Sequence, residues 1–557
     1  MISNSRYWFL LVLVVLVYVA GMFATLFEDD SAQFAVMAMR MFQENDFITL
    51  MKGDMQYLDK PHLHFWLAAL SYKFFGIYDW AYRIPALLAT LLAAYSCYGL
   101  GKLLYNSDTG KLAALIFMTA QTIVLSVIDV RTDAVLAAFT IFSIWQLTVY
   151  ANEGSIKAII LGALGAGLAF STKGQIALLV IGLALLSHLA YTQKWKMLLH
   201  WKVIVALFAF ALAIAPMLYA YYLQFDMHPE KVIRGTTGRS GILFIFWEQS
   251  MERLKGGEMG ANSSDYFFFF HTFLWVFIPW TILGLVAYAS RVKELFKSRF
   301  KYKAGLEFLT LGGITFFFLI ISFSKFKLPH YLNIIIPLFA ILTASYLNGL
   351  FKQSEKKTVK LLLGIQYFLL SVVFITTMLI CFYVFKFEKP LPMVLLVILL
   401  LVITHFCLKH EAHYLRIITI SVYSSLLLNA VLNLHFYPNL LRYQAGSNMA
   451  KVVNEENLPV DSIYRLYSDD DWGFNTWAMD FYIKRPIQTM KFESVTKKHD
   501  IWLYVTDQDI EKLHNKGIDW DRQYTRPDFQ ITQLNMTFLN PSTRKRALSK
   551  MHLIHVY

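Results

Sequence analysis

From Tyr7 to Phe27 the chain runs without a single acid or base, and runs of this kind recur along most of its length. A stretch of about 20 apolar residues is what a helix needs to cross the ~30 Å hydrocarbon core of a bilayer. Only a helix or a closed barrel can satisfy its backbone groups there. Such runs fall at about 7–27, 82–104, 110–128, 132–150, 155–170, 173–191, 201–223, 265–289, 305–323, 330–350, 360–385, 391–408 and 414–436. The pattern predicts a polytopic all-α membrane protein with about thirteen transmembrane helices. With 57% hydrophobic and 16% charged residues, the chain is too apolar for a soluble enzyme. Its formal charge of +13 would suggest nucleic acid in a soluble chain. In a membrane chain, excess Lys and Arg instead mark cytoplasmic loops, so no nucleic-acid partner is expected. The first run lacks a small-residue cleavage site and reads as a retained signal anchor. Cys97, Cys381 and Cys407 lie in apolar runs without paired spacing, which suggests neither a disulfide framework nor a thiolate metal site.

The loops orient the bundle. "TQKWKMLLHWK" (192–202), "SRVKELFKSRFKYK" (290–303) and "FKQSEKKTVK" (351–360) are basic and fall on one side, which the positive-inside rule makes cytoplasmic. Thirteen crossings then place the C-terminus outside, together with two long loops, 28–81 and 224–264. In the first loop Phe34, Met37, Ala38 and Met41 repeat at helical spacing, predicting a helix in the membrane interface capped by Asp30 or Ser31. A second interfacial helix is expected to start at Pro61, with Leu63, Trp66, Leu67 and Leu70 as its apolar face. After about 437 the apolar runs stop. Strand-like pieces ("DSIYRLYS", "IWLYVTD", "KMHLIHVY") alternate with a helical stretch at 443–456. The expected organisation is therefore a membrane domain, 1–436, and a small soluble α/β domain, 437–557. Within the latter, "SDDDWGFNTWAMDFY" (468–482) suits sugar stacking and equally suits the edge of an α/β core.

Charges gather on the outer side. "FEDDSAQF" places Glu28, Asp29 and Asp30 directly after the first span, and "YLDKPHL" supplies Asp59 and Lys60. The turn "DVRTDAV" carries Asp129, Arg131 and Asp133; "FSTKGQI" carries Lys173; "SFSKFKLPHYLN" carries Lys325, Lys327, His330 and Tyr331. Each has an ordinary reading. A lone lysine snorkels to the interface, Asp133 pairs with Arg131, an acid caps a helix, and Asp59–Lys60 forms a turn. His62 and His64, two apart on a helix, make a poor metal pair. The shared sidedness argues otherwise, because positive-inside bias keeps Lys from this face and ionisable groups at membrane depth are functional candidates. Lysines beside acids suit an anionic substrate: they stabilise a phosphate leaving group, while a carboxylate at a helix start accepts a proton. An aspartate pair could also hold a hard cation. An enzyme working outside has no cytoplasmic nucleotide-sugar, so a lipid phosphate reached from the bilayer is the natural donor.

The segments "EDDSAQFAVMAMRMFQENDFITL", "YLDKPHLHFWLAALSYKFFGIYDWAYRIPALLA", "RTDAVLAAF", "STKGQIALL" and "KLPHYLNIIIPLFAIL" resemble the ArnT-like and protein-mannosyltransferase-like glycosyltransferases of the GT-C superfamily, in order and through most of residues 7–350. The resemblance implies a GT-C fold and a polyprenyl-phosphate sugar donor. It assigns Asp30 as the catalytic aspartate, with Asp29 beside it. Lys60 falls at a phosphate-binding lysine and Arg253, in "FWEQSMERL", at an arginine contacting the donor phosphate. Lys173, Tyr331 and Lys327 are placed with the same phosphate, and Asp133 and Gln33 with the substrate. Asp59 and Glu248 fall at positions that would hold one divalent metal ion. Three departures stand out: Gln33–Phe34 where relatives carry Arg-Tyr, His62 where a second proline is usual, and Gln249 in place of a histidine ligand.

The implied reaction is a single displacement with inversion at C1. The expected acceptor is an envelope glycolipid such as lipid A, with protein O-glycosylation as the alternative. The expected setting is the bacterial inner membrane, the site and C-terminal domain facing the periplasm and the chain acting as a monomer. The Asn-X-Ser/Thr triplets at Asn262 and Asn535 receive no role. A transporter or flippase for lipid-linked sugars would place polar groups near the bilayer midplane and show inverted repeats, and neither is evident. A plain membrane anchor would leave the outer lysines unexplained.

Overall fold

A computed structural model describes residues 3–256, 262–350, 357–388, 390–408, 412–467 and 476–557. All thirteen apolar runs are helical. Among the described residues, nine are single stretches long and apolar enough to cross a membrane, and a tenth is a pair bent by 56°, Ser107–Thr119 (α5) and Gln121–Ile128 (α6). The nine include Asn4–Gly21 (α1), Asp79–Leu104 (α4), Asp133–Glu153 (α7), Ile156–Lys173 (α8), Gln175–Thr192 (α9) and Pro329–Gly349. The other three expected spans are shorter. Pro279 divides 265–289 into Phe268–Val276 and Thr281–Lys297, and the remaining two give the apolar helices Leu309–Ser322 and Pro390–Val402. The protein is a multi-pass, mostly helical membrane protein.

Local chemistry sets where the charged ends meet. Ser155 starts α8 by accepting the Ala158 N–H at 3.3 Å, and Gly174 ends it at φ +71°, a conformation L side chains resist. The helices α7 and α8 therefore run antiparallel, α7 opening on Asp133 and α8 closing on Lys173. An acid at an N-terminus and a base at a C-terminus each complement the helix dipole, and both lie at the same end of the bundle.

In the first long loop, Asp30–Glu44 (α2) is a helix, and protein covers more than one of its sides. Phe34, Met37, Ala38 and Met41 are buried, and so are Ala35, Val36 and Met39 on its other sides. Neither Asp30 nor Ser31 caps it; Asp29 stands at the cap with φ +85° and makes no capping hydrogen bond. A small hairpin, Met51–Lys52 (β1) with Met55–Gln56 (β2), leads to Leu63–Phe75 (α3). This helix starts two residues after Pro61, and its expected apolar face, Leu63, Trp66, Leu67 and Leu70, points away from the protein core. His64, Phe65, Ala68, Ala69 and Tyr72 are buried, whereas Leu63, Trp66 and Leu67 are half-buried and Leu70 is exposed. Phe65 and Tyr72 pack inward with the small residues, while Leu70 and its half-buried neighbours form the side that lipid rather than water would cover.

A fully buried arginine ties these parts together. Arg83 donates to the Ile128 carbonyl (2.8 Å), the Met22 carbonyl (2.8 Å), the Thr25 carbonyl (3.3 Å) and the Ala24 carbonyl. These acceptors sit at or just beyond the ends of α1 and α6, where a helix leaves its carbonyls unpaired.

Beyond the helical stretch His413–Tyr443 the chain forms a five-stranded mixed sheet in the order β4-β3-β5-β7-β6. Its strands are Ile463–Tyr467 (β3), Gln488–Lys491 (β4), Ile501–Thr506 (β5), Arg522–Asp528 (β6) and Ser549–Val556 (β7). β3 pairs in parallel with β4 and β5, and β7 pairs antiparallel with β5 and β6. The three strands read from sequence are the central ones, the two edges were not anticipated, and the expected helix is present as Ala445–Glu455. Residues 468–475 of the aromatic, acidic stretch lie outside the described residues. The rest of it forms the helix Trp477–Tyr482, whose Trp477, Ala478 and Phe481 join α2 and α3 in one apolar cluster.

Candidate active site

Asp30 is the first residue of α2, where the helix dipole favours a carboxylate. Its Oδ2 accepts from the Arg131 guanidinium at 3.1 Å; Oδ1 has no hydrogen-bond partner among the described residues. Arg131 also holds Asp129 at 3.2 Å and approaches His330 Nδ1 at 3.5 Å. The carboxylates of Asp129 and Asp30 raise the Arg131 pKa and keep it charged. Burial pushes the Asp129 carboxyl up against that pull. Arg131 therefore serves Asp30 and Asp129, not Asp133 as its sequence neighbourhood suggests.

Asp133 instead binds Lys173, Nζ to Oδ1 at 2.7 Å, with 4% and 7% of their side chains exposed. Lys173 Nζ also lies 5.1 Å from the centroid of the Tyr331 ring. The same ring lies 5.8 Å from Arg253 Cζ, and the Arg253 guanidinium donates to the Tyr331 hydroxyl. Tyr331 is presented by the turn Pro329–Ile335 and is nearly buried, at 6% exposure. Arg253 comes from the second long loop, in the helix Gln249–Lys255. That helix is fastened at its Arg253 carbonyl, which accepts from the Ser324 hydroxyl at 2.9 Å.

Lys60 completes the cluster from the first long loop. It is within electrostatic reach of Arg253, Lys173, Asp30 and Asp133, and burial beside two other cations holds its ammonium well below the usual lysine range. No hydrogen bond or ion pair to it occurs among the described residues. Three basic side chains from three separate segments, with a tyrosine hydroxyl, thus gather with the carboxylates of Asp30 and Asp133 at one end of the bundle. The arrangement can bind an anion, stabilise it as a leaving group and take up a proton next to it.

Asp29 is the exposed neighbour of this cluster. Partial desolvation of its carboxyl group, at the edge of the cluster, and the adjacent Asp30 raise its pKa. Glu28 has left the cluster altogether and is turned into the C-terminal domain, where burial pushes its carboxyl well above the usual range. Gln33 is buried with its amide nitrogen on Met37 Sδ at 3.8 Å, and no contact joins it to the cations. Lys327 is not brought to the cluster of Lys60, Lys173 and Arg253 either: its Nζ donates to the Asp265 carbonyl at 2.8 Å and lies over the Tyr266 ring.

The expected metal ligands are occupied by arginines. Arg234 forms an ion pair with Asp59 and another with Glu252 at 3.0 Å. Arg239 pairs with Glu248 at 3.3 Å and with Glu252 at 2.9 Å. Gln249 donates to the Asp59 carbonyl at 2.5 Å. A set of acids already neutralised by guanidinium groups does not fit a divalent cation, and among the described residues no group of three or more His, Cys, Asp or Glu is gathered. Sequence reasoning passed over Arg234 and Arg239. Their signal was present in "VIRGTTGRSG", a loop with two arginines on the face that positive-inside bias should leave poor in them.

The sequence profile of the dolichyl-phosphate-mannose-protein mannosyltransferase family matches residues 59–219. An undecaprenyl phosphate-alpha-4-amino-4-deoxy-L-arabinose arabinosyl transferase of Edwardsiella ictaluri is 27% identical over 365 residues, covering 63% of this chain and 61% of the relative. A second, from Proteus mirabilis, is 23% identical over 328 residues, or 58% and 55% of the two chains. The match thus spans about three fifths of these relatives. The crystal structure of ArnT from Cupriavidus metallidurans bound to undecaprenyl phosphate superposes with a TM-score of 0.73 at 14% identity, covering 99% of this chain and 98% of that one. The chain therefore has the fold of ArnT, and the resemblance to ArnT-like glycosyltransferases of the GT-C superfamily extends from its motifs to its architecture.

Proposed function

We propose that the chain is an integral membrane glycosyltransferase that moves a sugar from a polyprenyl phosphate, of the undecaprenyl type, to an envelope acceptor such as lipid A. The observation that carries this reading is the convergence of Lys60, Lys173 and Arg253 beside Asp30, drawn from separate segments onto one end of the bundle. Lys60 and Arg253 hold the donor phosphate, with Lys173 and Tyr331 forming the wall behind them. Asp133 fixes Lys173 through the 2.7 Å ion pair. Asp30, with Oδ2 anchored by Arg131 and Oδ1 open, accepts the proton of the attacking acceptor group. Attack at C1 breaks the bond to the phosphate oxygen, and polyprenyl phosphate leaves as an anion among the cations. One displacement inverts the anomeric centre. The domain division at about 436, the inner-membrane location with the site on the periplasmic face, and action as a monomer belong to the same reading.

The charges cluster at one end of the spans, which favours surface chemistry over passage through the bundle. A second reading, protein O-glycosylation, is favoured by the profile match over 59–219. Mass spectrometry of envelope lipids and glycoproteins decides between them. The strains are a deletion, the deletion carrying wild type, and the deletion carrying Asp30→Asn at equal expression. A sugar-sized mass lost in the deletion, restored by wild type and missing with Asp30→Asn supports transfer and identifies the acceptor class. Full restoration by Asp30→Asn overturns the base assignment. Lys60→Ala or Arg253→Ala should lower transfer by about 10²–10³.

A further inference from the structure

The backbone of Leu26 and Glu28, which leads directly into Asp29 and Asp30, is held by side chains of the C-terminal domain. The Leu26 N–H donates to the Tyr482 hydroxyl at 2.9 Å, and the Leu26 carbonyl accepts from Gln444 Nε2 at 2.9 Å. The Glu28 N–H donates to Gln444 Oε1 at 2.8 Å. Glu28 itself reaches across the interface: both its carboxylate oxygens accept from the Ala478 N–H, at 3.3 and 3.2 Å. Ala478 lies in the first turn of Trp477–Tyr482, a helix whose own cap residue, Thr476, supplies no capping bond. Glu28 is thus a cap donated from a distant part of the chain. The approach is close: a Cβ on Gly446 would stand 3.3 Å from Glu28 Oε2.

On the far side the segment is fastened by α2. The Gln33 N–H donates to the Asp29 carbonyl at 2.9 Å, and the Ala32 N–H to the Phe27 carbonyl at 3.0 Å. Between the two fastenings Asp29 is held at φ +85° and ψ −140°, a region that L residues occupy only when their surroundings impose it. The clamp and α2 together therefore determine where Asp30 begins and how its carboxylate faces Arg131.

We propose that Glu28, acting through Ala478 and alongside Gln444, is a positioning residue: the C-terminal domain serves catalysis by clamping residues 26–28 so that Asp30 is presented to the reacting sugar. This rests on the reading of Asp30 as the base. It gives the sheet domain a task within the same active site without requiring it to touch donor or acceptor.

The test uses the full-length protein in detergent and in cells, comparing Glu28→Ala, Glu28→Gln, Gln444→Ala and Asp30→Asn. Two quantities are read: binding of undecaprenyl phosphate by the purified protein, and transfer as the envelope mass shift established by deletion and complementation. Misplacement of a reacting group by about 1 Å costs on the order of 10²-fold. Glu28→Ala and Gln444→Ala should therefore lower transfer by about 10- to 100-fold with undecaprenyl phosphate affinity within twofold of wild type. Glu28→Gln, which keeps the shape and an acceptor oxygen for Ala478, should restore most of the transfer. Should Glu28→Ala fail to elute as a folded species, Gln444→Ala carries the same decision. Wild-type transfer by both Glu28→Ala and Gln444→Ala, or equal losses of binding and transfer, overturns the clamp. Loss of transfer in Asp30→Asn together with full activity of Glu28→Ala removes the clamp alone. Full activity of Asp30→Asn removes the base assignment, and the clamp with it.

Discussion

The pair Lys173–Asp133 offers the sharpest separation of stability from catalysis. Its charges are 2.7 Å apart with 7% and 4% side-chain exposure. At an effective dielectric of 20, two unit charges at that distance attract by about 6 kcal/mol, most of which offsets the cost of taking both from water. Removing one partner leaves a buried charge with no counter-ion, which costs about 3–5 kcal/mol, whereas replacing both by apolar groups is close to neutral. Lys173→Met and Asp133→Leu should therefore each destabilise by about 3–5 kcal/mol, and the double variant should return to within about 1 kcal/mol of wild type. Reversible unfolding in mixed detergent micelles, followed by tryptophan fluorescence, measures all four corners of the cycle. Transfer activity should not follow: the double variant, stable but without the cation, should remain slower by about 10²-fold or more. A coupling energy under about 1 kcal/mol would mean that the pair behaves as an exposed ion pair and would refute the argument from burial.

Other sites make separate predictions. Burial raises the Asp480 carboxyl from the usual 3.8 to about 7, so the folded domain holds a proton there that the unfolded chain has released. The associated stability is fully present below about pH 4 and is lost as pH rises towards 7, by about 4 kcal/mol in all; Asp480→Asn should flatten a urea-melt profile taken between pH 5 and 8. Asp29 occupies a glycine-like conformation, so Asp29→Gly should be neutral or stabilising by up to about 1 kcal/mol and Asp29→Val destabilising by at least that much, with transfer retained in the glycine variant if the Asp29 side chain is dispensable. Arg83→Ala strands four carbonyls, three of them buried; a loss of about 3 kcal/mol or more is expected, and Arg83→Lys, with fewer donors, should recover only part of it in the same unfolding assay.

Much of the architecture was legible because the bilayer simplifies the code. A run of apolar residues flanked by charges allows one outcome, and all thirteen runs proved helical. The cation cluster was legible for the related reason that lysine on the outer face is unexpected, which is how Lys60 and Lys173 stood out. Partnering was not. Arg131 lies two residues from both Asp129 and Asp133, and only the folded turn shows that it serves Asp129 and the distant Asp30. The outer face of α3 was legible as well: Leu70, read as part of an interfacial apolar face, is exposed, because it has no reason to hide from lipid. The partners of Asp59 and Glu248 were invisible in sequence: Arg234 and Arg239 come from a loop more than a hundred residues after Asp59. The edge strands β4 and β6 escaped because a strand paired on one side only needs less apolar patterning.

The origin of the cations has a thermodynamic consequence. Lys60 belongs to the first long loop, Lys173 to the end of α8 and Arg253 to a helix of the second long loop. An anion gripped by all three is also a cross-link among three parts of the chain that otherwise meet through side-chain contacts. Its binding free energy is then shared by the fold: at a hundred times the dissociation constant, about 2.7 kcal/mol is added to the stability of the whole. Supply of such an anion would then set how durable the protein is, and a chain emptied of it would be the form that heat, detergent or a protease reaches first.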